Sequence, residues 1–371
     1  MYNNRDRVIL LLLILTLIFS LFTIFISSES TPPVSAKAAA LYEPRTESFL
    51  YLKNGNERLG MASTTKIMTA HIALESLEPD EVIEVDSRAI GIEGSSIYLE
   101  HGERIRAIDL IYAVLLQSAN DAAAAIAYRI SGSIEAFSAL MNEKACALGL
   151  TDTNFTNPHG LDDKNHYTTA HDLAIISANA LKNDTFKEIS STYKKEITTS
   201  YRTRILVNHN KMLKNYDGCI GVKTGFTKKC GRCLVSAAER DGLTMISVTI
   251  DAPNDWSDHE KLLDYGYSQL ELKTLASPGE FSYELPVING ICDKITVTNK
   301  DSVKHIFAKD GKEIEINVKL SRYVAAPVEA GERLGEVIFS KDGKVLATCD
   351  LIAKTTVPKA KEGFSFFSKD K

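Results

Sequence analysis

The sequence predicts an α/β domain followed by a small all-β domain. Three observations lead to this fold class. Strand-like stretches occur at both ends of region 38–272, helical patterns fill its middle, and short β-rich runs punctuated by Gly and Asp follow it. Strands from both ends that flank a helical middle indicate one α/β unit with a helical insertion.

The first half of this region changes from strands to helices. Residues 38–59 predict strand, turn and strand, with turn signals at Glu43-Pro-Arg45 and Asn54-Gly-Asn56. A helix is predicted over 63–77, and the pattern from about 86 to 195 is mainly helical. Thr169-Ala-His-Asp172 resembles a capping box, which opens a helix. The helices predicted within this stretch are 105–116, 121–130, 133–148 and 173–181.

From residue 205 the apolar residues recur at every second position. This pattern predicts strands at 221–225, 233–238 and 244–250, with a hairpin turn at Asp241-Gly242. A helix over 256–270 closes the domain. We expect the domains to span 38–272 and 273–358, followed by a short polar tail, 359–371. The strands predicted in the second domain are 284–288, 294–299, 313–320, 333–340 and 344–353.

Composition excludes several classes of protein. The 371 residues are 44% hydrophobic and 25% charged, ordinary values for a globular protein, so collagen, coiled coil and wholesale disorder are excluded. The net charge of −5 comes from 43 basic and 48 acidic residues. Without a basic excess to neutralise phosphates, we expect no nucleic-acid partner.

The N-terminal segment, 1–37, reads as an export signal. Residues 8–26 carry no charge, Arg5 and Arg7 precede them, and no basic residue follows until Lys37. Two alternatives stay open: a cleavable signal peptide, or an uncleaved anchor in the cytoplasmic membrane. In both cases the globular part works outside that membrane. We expect no long amphipathic helix in the tail.

The six cysteines do not form a disulfide framework in a chain of this length. Cys230-Gly-Arg-Cys233 is a single CxxC, and structural zinc would need two further ligands. Ordinary thiols are therefore favoured over a local disulfide, and a disulfide over a metal site.

A second candidate for metal binding is a polar cluster, which we interpret as a loop that leads into a capped helix rather than as a ligand set. Its members are His159, Asp162, Asp163, His166, His171 and Asp172. Nucleotide-binding glycine motifs are absent from the sequence. We expect no metal and no cofactor.

The first motif that carries chemistry is Ser63-Thr-Thr-Lys66. Residues three apart share a helix face, so the lysine amine can reach the serine hydroxyl. A serine becomes a nucleophile when a base takes its proton, and a lysine of lowered pKa can be that base. The pattern alone is weak, because Ser191-x-x-Lys194 and Ser368-x-x-Lys371 also match it.

Two further short motifs follow along the chain. Ser118-Ala-Asn120 lies in a break between two apolar helices, whereas its repeat Ser177-Ala-Asn179 lies inside an amphipathic run and reads as structural. Lys223-Thr-Gly225 lies on a predicted strand. Its Lys and Thr present donors to an anion, and its Gly lets a substrate backbone lie close.

In combination, the three motifs resemble the penicillin-recognising serine enzymes, with Ser118 55 positions after Ser63 and Lys223 a further 105 positions on. The wider context is similar to the low-molecular-mass D-alanyl-D-alanine carboxypeptidases of the penicillin-binding protein 5 type, over about residues 38–360. The segments that carry the similarity are MASTTKIMTA, LQSANDA, NPHGL and GVKTGFT. The resemblance implies a β-lactamase/transpeptidase-like domain, an antiparallel sheet flanked by helices, before the all-β domain.

The resemblance also implies a role for each matching residue. Ser63 is the acylated nucleophile, Lys66 is the general base, and Ser118 passes a proton to the leaving D-alanine. The residues implied to bind substrate are Asn120, Lys223, Thr224, Gly225 and Phe226, and the backbone N–H groups of Ser63 and Phe226 form the oxyanion hole. This chain departs from the family pattern at Phe226, where a histidine often stands, and has no match in 251–255 to an arginine that some members use.

The implied activity is removal of the terminal D-alanine from peptidoglycan stem pentapeptides, with covalent binding of β-lactam antibiotics. A class A-like β-lactamase is an alternative, but its ExxLN glutamate is not found between residues 121 and 221. A catalytically idle cell-wall binding protein is a second alternative. The idle binding protein is disfavoured because Ser63, Lys66, Ser118 and Lys223 are all present, and an inactive site would not need these four cooperating groups.

Overall fold

The computed structural model describes residues 31–361. The apolar run 8–26 and residues 362–371 of the predicted tail lie outside the described residues. Within 31–361, no helix is long and apolar enough to cross a membrane.

The first sheet has five antiparallel strands, in the order β2 (Ser48–Lys53), β1 (Ala38–Glu43), β9 (Leu243–Ile250), β8 (Gly231–Arg240) and β7 (Cys219–Thr227). It pairs β1, near the start of the described chain, with β9, about 200 residues later, so strands from both ends of the region share one sheet. β7 forms one edge of this sheet. The strands of the region are β1 Ala38–Glu43, β2 Ser48–Lys53, β3 Val82–Glu84, β4 Arg104–Arg106, β5 Lys194–Thr198, β6 Thr203–Val207, β7 Cys219–Thr227, β8 Gly231–Arg240 and β9 Leu243–Ile250.

Helices cover both faces of this sheet. All six residues of β1 are buried. Side chains alternate along a strand, so β1 contributes to both faces of the sheet. Ala38 and Ala40 pack against the inserted helices on one face, and Ala39 and Leu41 pack with Leu262 and Leu263 of the closing helix on the other. The helices are α1 Lys66–Ser76, α2 Ala107–Leu116, α3 Asn120–Ser131, α4 Ile134–Ala147, α5 Ala170–Ala180, α6 Asp184–Ser191, α7 Met212–Asn215 and α8 Asp255–Gln269.

The predicted helices are confirmed, but the start of the first helix and the segment before the second differ from the prediction. The helix predicted over 63–77 begins instead as a 3₁₀ turn, Ala62–Thr65, and continues as α1. The mainly helical stretch also contains β4, which pairs with β3 in a small separate hairpin. Strands of three residues are too short for an alternating pattern to be recognised in a sequence.

The second sheet has six strands in the order β14-β16-β17-β12-β11-β15, and it contains all five strands predicted beyond residue 272. The sequence missed β10, β13 and β15. β10 crosses the boundary predicted at 272 and pairs with β13, so the division of the chain there stays a prediction. The strands are β10 Leu270–Ala276, β11 Ser282–Ile288, β12 Lys294–Asn299, β13 Val303–Ala308, β14 Glu315–Leu320, β15 Val324–Ala325, β16 Arg333–Lys341 and β17 Lys344–Ala353.

Candidate active site

Ser63 and Lys66 are in direct contact. Ser63 lies in the 3₁₀ turn and Lys66 is the first residue of α1. Residues three apart eclipse each other in a 3₁₀ turn, which aligns the two side chains. The Lys66 Nζ lies 3.0 Å from the Ser63 Oγ, within hydrogen-bond distance. The predicted nucleophile and base are therefore adjacent.

Lys66 is fully buried, and its amine has two further acceptors. Its Nζ donates to Asn120 Oδ1 at 2.7 Å and to the His159 carbonyl at 2.5 Å. Neither acceptor is a carboxylate. Burial, reinforced by repulsion from Lys223, holds the Lys66 pKa well below its ordinary value, although Asp121 acts in the opposite direction. This environment favours a neutral amine, which can accept a proton.

The Ser118 motif lies at the junction of α2 and α3. Ser118 has a φ of +59°, a left-handed conformation that is uncommon for a residue with a side chain and is frequent at functional sites. Asn120 begins α3, and its Nδ2 donates to the Glu93 carbonyl at 2.5 Å. Asn120 thus joins Lys66 to the segment that precedes β4.

Lys223 and Gly225 lie on the edge strand β7. Lys223 is buried, and burial lowers its pKa to about 7. Gly225 lies against the nucleophile turn, because a Cβ at this position would be 3.0 Å from the Ser63 nitrogen and 3.1 Å from the Thr64 nitrogen. With any other residue at position 225, the strand or the turn would have to move apart, so glycine allows the closest approach. The tertiary contact gives a physical reason for the glycine of this motif.

A cleft of about 370 Å³ opens over these groups. Five of the predicted residues line it, namely Ser63, Ser118, Thr224, Gly225 and Phe226, while Lys66, Asn120 and Lys223 are buried. Six other lining residues were not predicted from the sequence: Ser95, His209, Lys211, Arg232, Asp255 and Trp256.

Arg232 brings a cation into the cleft from the neighbouring strand. It is paired with Phe226 across β7 and β8, its guanidinium is 2.9 Å from an Asp255 carboxylate oxygen, and it lies over the Trp256 ring at 5.7 Å. Residues 251–255, where the resemblance led us to expect an arginine, contain none. The short turn between β7 and β8 was a signal that could have placed Arg232 beside the motif of Lys223.

Comparison with known proteins identifies the family. The family model of D-alanyl-D-alanine carboxypeptidases matches residues 26–254, and the model of the penicillin-binding protein 5 C-terminal domain matches residues 270–359. The chain belongs to the D-alanyl-D-alanine carboxypeptidase family. The predicted fold class, a sheet flanked by helices followed by an all-β domain, is confirmed.

Several members of this carboxypeptidase family resemble the chain along most of its length. It is 34% identical to D-alanyl-D-alanine carboxypeptidase DacF of Bacillus subtilis, over 90% of this chain and 88% of that protein. Among solved structures, penicillin-binding protein 5 from Haemophilus influenzae matches with a TM-score of 0.64 and 28% identity, over 88% and 99% of the two chains. The Streptomyces K15 DD-transpeptidase matches with a TM-score of 0.62 and 31% identity, over 64% of this chain and 99% of that chain.

The other Ser-x-x-Lys and Ser-x-Asn matches of this carboxypeptidase differ structurally from the motifs of Ser63 and Ser118. Ser191 ends α6 and Lys194 begins β5, so these two residues share no helix face. Ser177 is buried inside α5 and donates to the Leu173 carbonyl at 2.6 Å. Ser368 lies outside the described residues.

None of the six cysteines and no residue of the polar cluster lines the catalytic cleft. All six cysteines, Cys230 and Cys233 included, are free thiols. Across residues 31–361, no group of three or more His, Cys, Asp or Glu side chains is arranged to hold a metal ion. The predicted cap is present, since Thr169 Oγ1 accepts the Asp172 backbone N–H at 3.0 Å. His159 and His166 of the cluster are buried.

Proposed function

We propose that this chain is a serine D-alanyl-D-alanine carboxypeptidase that removes the terminal D-alanine from peptidoglycan stem pentapeptides through an acyl-enzyme on Ser63. One observation carries the proposal: the buried Lys66 Nζ, 3.0 Å from the Ser63 Oγ, is depressed in pKa and has no carboxylate among its hydrogen-bond acceptors. A neutral amine in that position can deprotonate the serine.

Acylation begins when Lys66 takes the Ser63 proton and the Oγ attacks the carbonyl carbon of the penultimate D-alanine. The backbone N–H groups of Ser63 and Phe226 stabilise the oxyanion, an arrangement favoured by the close approach of β7 to the nucleophile turn. As the tetrahedral intermediate collapses, the peptide C–N bond breaks and the leaving amine receives a proton through Ser118. Water then hydrolyses the ester and releases Ser63.

Substrate recognition uses the exposed edge of β7 and the cations around it. A peptide that lies along this edge places its terminal carboxylate near Thr224, Lys223 and Arg232, while Asn120 holds a peptide carbonyl. β-Lactams share this carbonyl and carboxylate, so they acylate the same serine. Asp255, the acidic residue in the cleft lining, is paired with Arg232, which disfavours a lactamase-type carboxylate base.

The decisive experiment for this function is a comparison of product release from two kinds of substrate. We expect D-alanine release from a diacetyl-Lys-D-Ala-D-Ala peptide and none from the analogue that ends in L-alanine. A β-lactam adduct should persist for minutes or longer, because its leaving group stays tethered and obstructs water. Rapid penicillin turnover without D-alanine release would instead identify a β-lactamase. The absence of both reactions would identify a catalytically idle binding protein.

Arg232 gives a prediction about specificity. Arg232→Gln should lower kcat/KM for the D-Ala-D-Ala peptide roughly 10- to 100-fold, because a charge-assisted hydrogen bond to the substrate carboxylate is lost. A peptide with a C-terminal amide lacks that carboxylate and should be affected far less. Arg232→Lys, which keeps the charge, is the matched control. Equal losses on the acid and amide peptides would contradict this role.

We further propose that the chain is exported and that the N-terminal segment 1–37, with its apolar run 8–26, directs or anchors it at the outer face of the cytoplasmic membrane. The described chain is already tied into the first domain at Ser35, whose backbone N–H and Oγ both donate to Asp258. A chain that begins at residue 31 should therefore stay folded, remain in the soluble fraction without detergent and react with a β-lactam. Membrane partitioning of this shortened chain would place the attachment elsewhere.

A further inference from the structure

We infer that His166 is a positioning residue for catalysis, because its ring connects the nucleophile turn to the loop that orients Lys66. The inference rests on the proposed function. The His166 ring is buried, with Nε2 2.7 Å from Thr65 Oγ1 and Nδ1 3.0 Å from the Thr156 backbone nitrogen. His166 does not line the catalytic cleft, so it acts through other residues and does not touch substrate.

The hydrogen bonds fix the direction of every donor in this connection. The Thr156 backbone N–H can only donate, so His166 Nδ1 must be the acceptor and carries no proton. Nε2 therefore carries the proton and donates to Thr65 Oγ1, and that hydroxyl in turn donates to the Ala62 carbonyl at 2.7 Å. Burial lowers the His166 pKa to about 4, which keeps the ring in this neutral form at neutral pH. We call this series of hydrogen bonds, which runs from Thr156 through His166 and Thr65 to Ala62, the His166 chain.

The His166 chain ends on a strained residue next to the nucleophile. Ala62 has a φ of +46°, a left-handed conformation that persists only when its surroundings hold it. A second cavity of about 380 Å³, which shares no lining residue with the catalytic cleft, borders Met61, Ala62 and His166. The hydrogen bond from Thr65 to the Ala62 carbonyl is therefore part of the constraint that holds the turn beside this cavity.

The other end of the His166 chain is connected to the base. Thr156 leads directly into the loop whose His159 carbonyl accepts the Lys66 amine. The same loop touches the turn, because a Cβ at Gly160 would be 2.0 Å from the Ala62 carbonyl oxygen. Thus His166 holds the turn that carries Ser63 and the loop that orients Lys66 in one fixed relation.

The test compares variants that keep or remove the His166 chain. His166→Phe keeps a ring of similar size, able to preserve the edge-on contact with Phe155, but removes both nitrogens. His166→Gln keeps one acceptor and one donor. Thr65→Val removes the hydroxyl at nearly constant shape, and Thr65→Ser keeps it. The readouts are the rate of β-lactam acylation at Ser63, kcat and KM for D-alanine release, and the melting temperature.

We expect His166→Phe and Thr65→Val each to lower the acylation rate and kcat roughly 10- to 100-fold with KM nearly unchanged, since a misplaced nucleophile costs rate rather than binding. His166→Gln and Thr65→Ser should stay within a few-fold of the parent chain. The His166→Phe/Thr65→Val double variant should be no slower than the slower single variant, because both changes interrupt one chain. If His166→Phe does not fold, the two Thr65 variants carry the same comparison.

Four results would overturn the inference: multiplying effects in the double variant, equal losses in the Gln and Phe variants, a rise in KM at constant kcat, or full activity of His166→Phe. The proposed function fails separately, because it is rejected only if the parent chain itself releases no D-alanine.

Discussion

Replacing Ser63 with alanine is expected to abolish covalent β-lactam binding and to lower D-alanine release roughly 10⁴- to 10⁶-fold, because the nucleophile itself is removed. Mass spectrometry of the parent chain after incubation with penicillin should give one adduct per molecule, on the peptide that contains Ser63. The surrounding hydrogen bonds do not depend on this side chain, apart from that of Lys66, so the variant should remain folded.

Ser191→Ala is the matched control for this experiment. Ser191 belongs to the same Ser-x-x-Lys pattern, but its Oγ donates to the Glu188 carbonyl at the end of α6 and Lys194 lies on another element. This variant should form the adduct at the parent rate. An adduct on any serine other than Ser63 would refute the site assignment.

Replacing Lys66 with arginine is expected to lower acylation by about 10²- to 10⁴-fold, although the positive charge is kept. An arginine side chain stays protonated in proteins and cannot take the Ser63 proton. For the parent chain, the acylation rate should rise with pH through an ionisation below the ordinary lysine value of about 10.4 and then become constant, since the neutral amine is the active form. Stopped-flow measurement with a chromogenic β-lactam gives this profile.

The position of that ionisation tests the cause of the lowered pKa. Lys223 contributes by repulsion, so Lys223→Met should move the midpoint of the acylation profile to higher pH. Two interacting amines titrate as a pair, and the shift is therefore read from the whole curve. Near-normal turnover by Lys66→Arg would show that another group is the base.

The sequence placed most elements correctly where a periodic pattern was long enough to recognise. The helices predicted at 105–116 and 133–148 and the strands at 294–299 and 344–353 match observed elements closely. It failed for β4, which has only three residues, and for β13, which pairs with β10, a strand about 30 positions earlier in the chain that the sequence also missed. The 3₁₀ turn at Ser63 was likewise hidden inside a helical pattern.

The sequence by itself led to the reaction class, because its three short motifs occur in an order and context that resemble the D-alanyl-D-alanine carboxypeptidases, and this resemblance is visible without coordinates. Residue type also predicted the need for a lysine of lowered pKa. Each of these inferences depends on neighbours in the chain or on the chemistry of a single side chain.

Only the tertiary structure decided how those groups are held and which others join them. Burial depresses the Lys66 pKa, and burial is a property of all the elements that surround a residue. Arg232 reaches the cleft through the register of β7 and β8, and Gly225 is required by a turn more than 160 positions away. His166 is about 100 positions from the turn that it supports. Such contacts arise from packing between distant segments, which a local pattern does not encode.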